Sequence, residues 1–113
     1  MGGDVVNILQ FALDGVTQQQ VAISNNIANV QTPGYTAENV SFEKSLQQAM
    51  AGGGTASITE SPSAAPPASN GNNVRLSTEL VAAQESTLQY EVLTNSLNAQ
   101  FRLVRGAAGG SFA

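Results

Sequence analysis

The sequence contains no cysteine and no histidine. Disulfide bonds, zinc sites built from thiolate or imidazole ligands, and catalysis by a cysteine or histidine side chain are therefore excluded. Charged residues make up only 11% of the chain, whereas about a quarter is usual. The four basic residues form no cluster that could neutralise a phosphate backbone. We therefore expect no metal, no cofactor, no small-molecule substrate and no nucleic-acid partner.

Long hydrophobic runs are also missing. No apolar run reaches the roughly 18–20 residues that a membrane span needs. The start of the chain, Met1–Asp4, lacks the basic residues of a cleavable secretory signal. At 113 residues the chain is long enough for one small domain.

The eight acidic residues are scattered along the chain. Glu79, Glu85 and Glu91 follow one another at intervals of six residues, so neighbours in this series do not share a helix face. A nucleophile activated by histidine is impossible, and Lys44 is the single lysine. We therefore predict that the protein is not an enzyme.

A first amphipathic helix is predicted from Asp4 to Val30, because apolar residues recur there at intervals of three, four and seven. Gly15 lies inside this helix, where a glycine costs about 1 kcal/mol relative to alanine. The polar faces carry glutamines and almost no charge. This favours a helix covered on several sides by copies or relatives of itself over a helix in the core of a small bundle. The residues expected to fill its contacts with other helices are Leu9, Val16, Ile23 and Ile27.

Residues 24–35, here called the signature segment, combine a helix end with a tight turn. Three asparagines put short amide side chains over the last helical turns, where they can cap helix ends or bond between neighbouring helices. They are Asn25, Asn26 and Asn29. Residues 32–35 fit a type II turn, since Pro33 presets φ at the second position and Gly34 supplies a positive φ at the third. On physical grounds alone, a helix C-terminus followed by an ordinary turn fits equally well.

A short helix is predicted after the turn, from Ser41 as N-cap to Met50. The following stretch, Ala51–Asn73, is low in complexity. Apart from Ile58 and Glu60 it contains only alanine, glycine, serine, threonine, proline and asparagine. Such a segment buries too little apolar surface to offset the entropy of ordering it. We therefore predict a flexible connector or surface loop.

A second long helix is predicted over residues 74–105, with Ser77 as its N-cap. Its apolar residues alternate by four and three over about four heptads, which is the period of a left-handed coiled coil. Gly106 is expected to end the helix and to leave residues 106–113 as a loose tail. The residues expected to fill the contacts between helices are Leu80, Tyr90, Leu97 and Phe101.

These elements predict an all-α fold in one structural unit. Two long terminal amphipathic helices would pair as an antiparallel coiled-coil hairpin, with a short middle helix and a flexible low-complexity connector. The divisions are the N-terminal helix (4–30), the signature turn with the short helix (31–50), the connector (51–73), the C-terminal helix (74–105) and the tail (106–113).

The signature segment resembles the N-terminal motif of the flagellar basal-body rod proteins. The likeness rests on Asn-Asn-Ile-Ala-Asn at residues 25–29, followed after two residues by Thr-Pro-Gly-Tyr at residues 32–35. It continues at residues 42–46, 72–76 and 90–94, in the same order along the chain. Within the family, the short middle favours the proximal rod proteins of the FlgB type, because larger members insert whole β domains there.

The resemblance implies a structural subunit that assembles head-to-tail, with copies of itself and other rod proteins, into a hollow drive shaft. The shaft would link the membrane ring and export gate to the distal rod. The implied location is the basal body of a bacterial flagellum, across the periplasm or cell wall, after type III export without a cleaved signal. The implied assembly motif is Asn25, Asn26, Ile27, Asn29, Thr32, Pro33, Gly34 and Tyr35.

A second interpretation stays open from the residues alone. The same amphipathic helices suit a soluble adaptor or export chaperone that holds a partner helix. An adaptor should be fully folded in isolation, whereas a rod subunit should become ordered on assembly.

Overall fold

The fold consists of two long helices joined by a small sheet and a short helix. The structure is a computed structural model that describes residues 2–109. The described part is elongated, with extents of 64 × 28 × 14 Å. The two long helices contact each other more extensively than any other pair of elements does. The elements are α1 (Gly2–Ala28), β1 (Glu38–Ser41), α2 (Glu43–Met50), β2 (Thr59–Pro62) and α3 (Leu76–Gly109).

A two-stranded antiparallel sheet corrects the prediction of an all-α fold. Strand β1 pairs with β2 in a register that places Glu38 opposite Pro62 and Ser41 opposite Thr59. Strand β2 lies inside the low-complexity stretch, where we predicted a connector without regular structure. Ile58, just before β2, packs against the hydrophobic core, and this single apolar side chain places the strand beside β1.

The hydrophobic core is small and lies between α1 and the segment that leads into α2. Ala12, Val16 and Phe42 form its buried centre. The Phe11 and Phe42 rings meet edge to face, with centroids 6.3 Å apart and planes at 72°. The partly buried side chains around this centre are Phe11, Leu46, Ile58 and Leu93.

Gly15 lies in the core because the Phe42 ring occupies the space beside it. A Cβ atom added to Gly15 would come within 2.5 Å of Phe42 Cγ, which is closer than any nonbonded carbon contact. The glycine therefore permits the close approach of the ring to α1. Its cost in helix propensity is offset by the burial of a phenylalanine side chain.

The helix ends differ from the sequence predictions in several places. Helix α1 spans Gly2–Ala28 rather than 4–30. Ser41 belongs to β1, and the N-cap position of α2 is Phe42, which makes no side-chain capping bond. Helix α3 begins at Leu76, so Ser77 lies inside its first turn.

The C-terminal end of α3 also corrects a prediction. The helix continues through Gly106 to Gly109. Gly106 does not have a positive φ. It therefore does not adopt the left-handed conformation that often ends a helix. Residues 110–113, the rest of the predicted loose tail, lie outside the described residues.

Candidate assembly site

The side chain of Asn26 joins the end of α1 to three other parts of the chain. Asn26 is 1% exposed. Its Nδ2 group donates to Glu38 O at 2.9 Å and to Glu79 Oε1 at 2.7 Å. Its Oδ1 atom accepts from Glu38 N at 2.9 Å and from the Tyr35 hydroxyl at 3.3 Å. All four hydrogen-bonding positions of the amide are therefore used.

Glu79 and Tyr35 complete this cluster of polar side chains. Glu79 lies in the first turn of α3 and is buried. Burial raises the pKa of the Tyr35 hydroxyl, and the carboxylates of Glu38 and Glu79 raise it further. The hydroxyl therefore keeps its proton at neutral pH and remains a hydrogen-bond donor to Asn26. We call Asn26, Tyr35, Glu38 and Glu79 the asparagine node.

The signature turn has the geometry that the sequence predicts. Tyr35 N donates to Thr32 O at 3.3 Å, and Gly34 has a φ of +75°. A type II turn requires a positive φ at its third residue. Gly34 N also donates to Asn70 O at 2.9 Å. The turn is thus tied to the loop that precedes α3.

Two further buried asparagines connect the signature segment to the end of the connector. Asn72 Nδ2 donates to Asn29 O and to Thr32 O, both at 2.8 Å. Asn73 Oδ1 accepts from Ala37 N at 2.6 Å. Ala37 is buried, and without Asn73 its N–H group would be a buried donor without a hydrogen bond, at a cost of about 1–3 kcal/mol. These contacts hold the start of α3 against the end of α1.

Asn72, Asn73 and Glu79 are not among the site residues that the sequence predicts. The Asn72-Asn73 pair stands immediately before a predicted helix and mirrors the Asn25-Asn26 pair near the end of the first helix, which is a signal that could identify it. Glu79 carries no such signal. Nothing in the helical period indicates that its carboxylate meets an amide 53 residues earlier in the chain.

The other residues of the predicted assembly motif lie around the node at the surface. Asn25 is exposed, and Ile27 and Asn29 are half-buried. Asn29 Nδ2 donates to Asn25 O at 2.8 Å, and its Oδ1 accepts from Thr32 Oγ1 at 3.0 Å. The Asn29 side chain thus bonds a carbonyl of the last turn of α1. Thr32, Pro33 and Gly34 are exposed, and their role in assembly stays a prediction.

The predicted helix-contact residues divide into two groups. In the first helix Val16 is buried, and Leu9, Ile23 and Ile27 are half-buried. In the second helix Leu97 is half-buried. By contrast, Leu80, Tyr90 and Phe101 are 50%, 43% and 45% exposed. Within a single chain these three side chains do not fill a helix contact, and their role in contacts between subunits stays a prediction.

We expect Gly34→Val to disrupt the signature turn. There is open space around a Cβ at this position, so the penalty comes from the positive φ, which a β-branched residue resists at a cost of about 1–3 kcal/mol. Swimming should be strongly reduced when the variant is the cell's sole copy. Gly52→Val is the matched control, because Gly52 also has a positive φ and open surroundings but lies outside the signature segment. Normal swimming of Gly34→Val would contradict a role for the turn.

Comparison with known proteins points to flagellar rod proteins. Residues 9–36, which cover most of α1 and all of the signature turn, match the family model described as "Flagella basal body rod protein". This match and the relative below support a likeness to the flagellar basal-body rod proteins. It is 28% identical to the flagellar basal body rod protein FlgB of Bacillus subtilis (strain 168) over 126 aligned positions, which cover 90% of this chain and 91% of the relative.

The likeness to rod proteins supports a structural protein of the flagellar basal body, with a part in motility. It also supports assembly with other components of the rod. No helix within residues 2–109 is long and apolar enough to cross a membrane. Both halves of the signature segment, the asparagine-rich helix end and the turn, fall inside the region that the family model matches.

Proposed function

We propose that this protein is a subunit of the proximal rod. Its copies assemble head-to-tail into the hollow drive shaft, which links the membrane ring and export gate at one end to the distal rod at the other. The observation that carries the proposal is the exposed apolar side of α3. Twelve large hydrophobic residues are exposed in the described part of the chain, and nine of them lie on α3. Such a surface is typical of a helix that is covered in an assembly.

The exposed residues of α3 extend over most of its length. They include the predicted contact residues Leu80, Tyr90 and Phe101. A row of apolar side chains along a helix suits packing against other helices. Torque would then pass between subunits by packing alone, and no covalent bond would be made or broken. An enzymatic role has no part in the proposal.

Within each subunit we propose that α1 and α3 pair as an antiparallel coiled-coil hairpin. Two contacts support this arrangement. Near one end Asn26 of α1 bonds to Glu79 of α3. Farther along, Leu93 of α3 packs against the core cluster to which α1 contributes Ala12 and Val16. The residue numbers fall on α1 as they rise on α3, as they do in antiparallel helices.

The signature segment would fix the direction in which the chain leaves the helical layer. The hydrogen bonds of the asparagine node and the turn tie α1, β1 and the start of α3 together. The subunit would thereby present a defined outer surface to its neighbours. Export through the flagellar type III apparatus without a cleaved signal follows from the same proposal.

Deletion of the gene, followed by electron microscopy of isolated basal bodies, tests the proposed position in the rod. We expect rings without a rod and a complete loss of swimming, both reversed by a plasmid that carries the unaltered gene. Intact rods with normal swimming would overturn the proposal. Intact rods accompanied by a loss of export of another flagellar protein would favour the adaptor or export chaperone instead.

A further inference from the structure

An apolar groove opens on the side of the molecule where α3 faces the core. Its volume is about 370 Å³, and it is lined chiefly by Ala12, Val16, Phe42, Leu88 and Val92. Leu88 and Val92 are each 63% exposed. The groove therefore extends the hydrophobic core to the surface and leaves it uncovered within the single chain.

The groove continues into an acidic pocket. Glu43 and Gln89 line both of them. The pocket has a volume of about 310 Å³, and its lining includes the carboxylates of Glu38, Glu79 and Glu85. None of the described residues that line the groove or the pocket is a lysine or an arginine. A complementary partner would thus present apolar side chains next to positive charge.

The C-terminal end of α3 has this composition. Phe101, Leu103 and Val104 are 45%, 55% and 46% exposed. Arg102 and Arg105 lie among them and are also exposed. Residues 101–105 thus combine three large apolar side chains with two guanidinium groups and no acid. These five residues make up about one and a half helical turns.

We propose that the groove binds residues 101–105 of α3 from a second copy of this chain, and that Arg102 and Arg105 of that copy lie toward the acidic pocket. The proposal rests on the proposed head-to-tail assembly and identifies its contact surfaces. Because the groove and the segment are different surfaces of one chain, the contact is heterologous and continues from copy to copy. A closed dimer would require one surface to meet itself.

The absence of cysteine from the sequence allows a direct test by crosslinking. Val92→Cys places a thiol in the groove, and Leu103→Cys places one in the docking segment. Both positions are on α3 and eleven residues apart, so they are separated by about 16 Å. A bifunctional maleimide too short to span that distance can join them only between two chains. Cells whose sole copy carries both substitutions supply basal bodies for the reaction.

We expect a ladder of crosslinked species at multiples of 11.6 kDa from the double variant and only the uncrosslinked chain from either single variant. Dimers from a single variant would indicate a symmetric contact and overturn the proposal. Products whose mass includes a different rod protein would overturn the second copy as the occupant. If assembled rods give no ladder, the proposed docking is overturned. The proposed function is tested separately, by the gene deletion, and would stand.

Charge reversal tests the charged part of the contact with the same crosslinking readout. In the two-cysteine background, we expect Glu43→Lys or Arg102→Glu alone to reduce the ladder about tenfold, and the combination to restore at least half of it. Glu60→Lys is the matched control, because Glu60 is exposed on β2 and lines neither the groove nor the pocket. Equal losses in all three single variants, without restoration in the combination, would overturn the charge contact.

Discussion

Asn26→Asp should destabilise the folded chain by on the order of 3–5 kcal/mol at neutral pH, which is typical of an uncompensated buried charge. The substitution changes one NH₂ group to an oxygen. It removes the donor to Glu79 Oε1 and to Glu38 O, and it sets a second carboxylate against that of Glu79. The measurement is the urea titration of the helical circular-dichroism signal of rods isolated from cells that carry the variant, together with swimming of those cells.

The pH dependence of this variant separates charge repulsion from a general packing defect. Two carboxylates that share a buried site bind a proton with higher affinity in the folded chain than in the unfolded chain. The folded state therefore binds more protons, so the lost stability should return as the pH falls from about 7 toward 4. Asn25→Asp is the control, because Asn25 is exposed beside it and the formal charge changes equally. Equal losses from the two variants, or no recovery in acid, would contradict the account of the node.

Gly15→Val should destabilise the chain by about 3 kcal/mol, although valine has a higher helix propensity than glycine. The added atoms would overlap the Phe42 ring, which already lies where a Cβ would be placed. Relief requires either the ring to leave the core or the backbones to separate, and overpacking of this kind costs about 1–3 kcal/mol or more. Urea titration should show the loss as a lower midpoint.

A neighbouring substitution and a double variant complete this test. Thr17→Val adds the same side chain to α1 at an exposed position, and its effect should be within about 0.5 kcal/mol of zero. Combining Gly15→Val with Phe42→Ala should cost clearly less than the sum of the two single changes, because the second removes the ring that the first displaces. Strict additivity would show that Phe42 is not the cause.

Local chemistry was sufficient to predict the turn and most of the helical content. Pro33 and Gly34 restrict their own φ angles, so a type II turn follows from two adjacent residues and needs no tertiary information. The two long helices follow from apolar spacing alone. Strand β2 could not be predicted in this way, because its residues are all exposed and its position depends on pairing with β1 and on the burial of Ile58.

The face of α3 that contacts α1 could not be predicted either. The apolar period selected Leu80, whereas the structure buries Glu79 and Ser86 and places Leu93 against the core. These three positions follow one another at intervals of seven residues, and the first of them lies one residue before Leu80. The apolar pattern of a helix reflects all the contacts that bury its side chains, including contacts with neighbouring subunits. It cannot assign a face to contacts within the chain when a polar pair such as Asn26 and Glu79 makes that contact.

The asparagine node also determines when the fold can close. Its members are spread from residue 26 to residue 79, and a chain synthesised from its N-terminus presents Glu79 only after more than half of its length has appeared. Until then the Asn26 amide lacks one of its four hydrogen-bond partners, and α1 cannot yet pack against α3. The bond between Asn26 and Glu79, and the packing of Leu93 against the core, can therefore form only when the last third of the chain has been made.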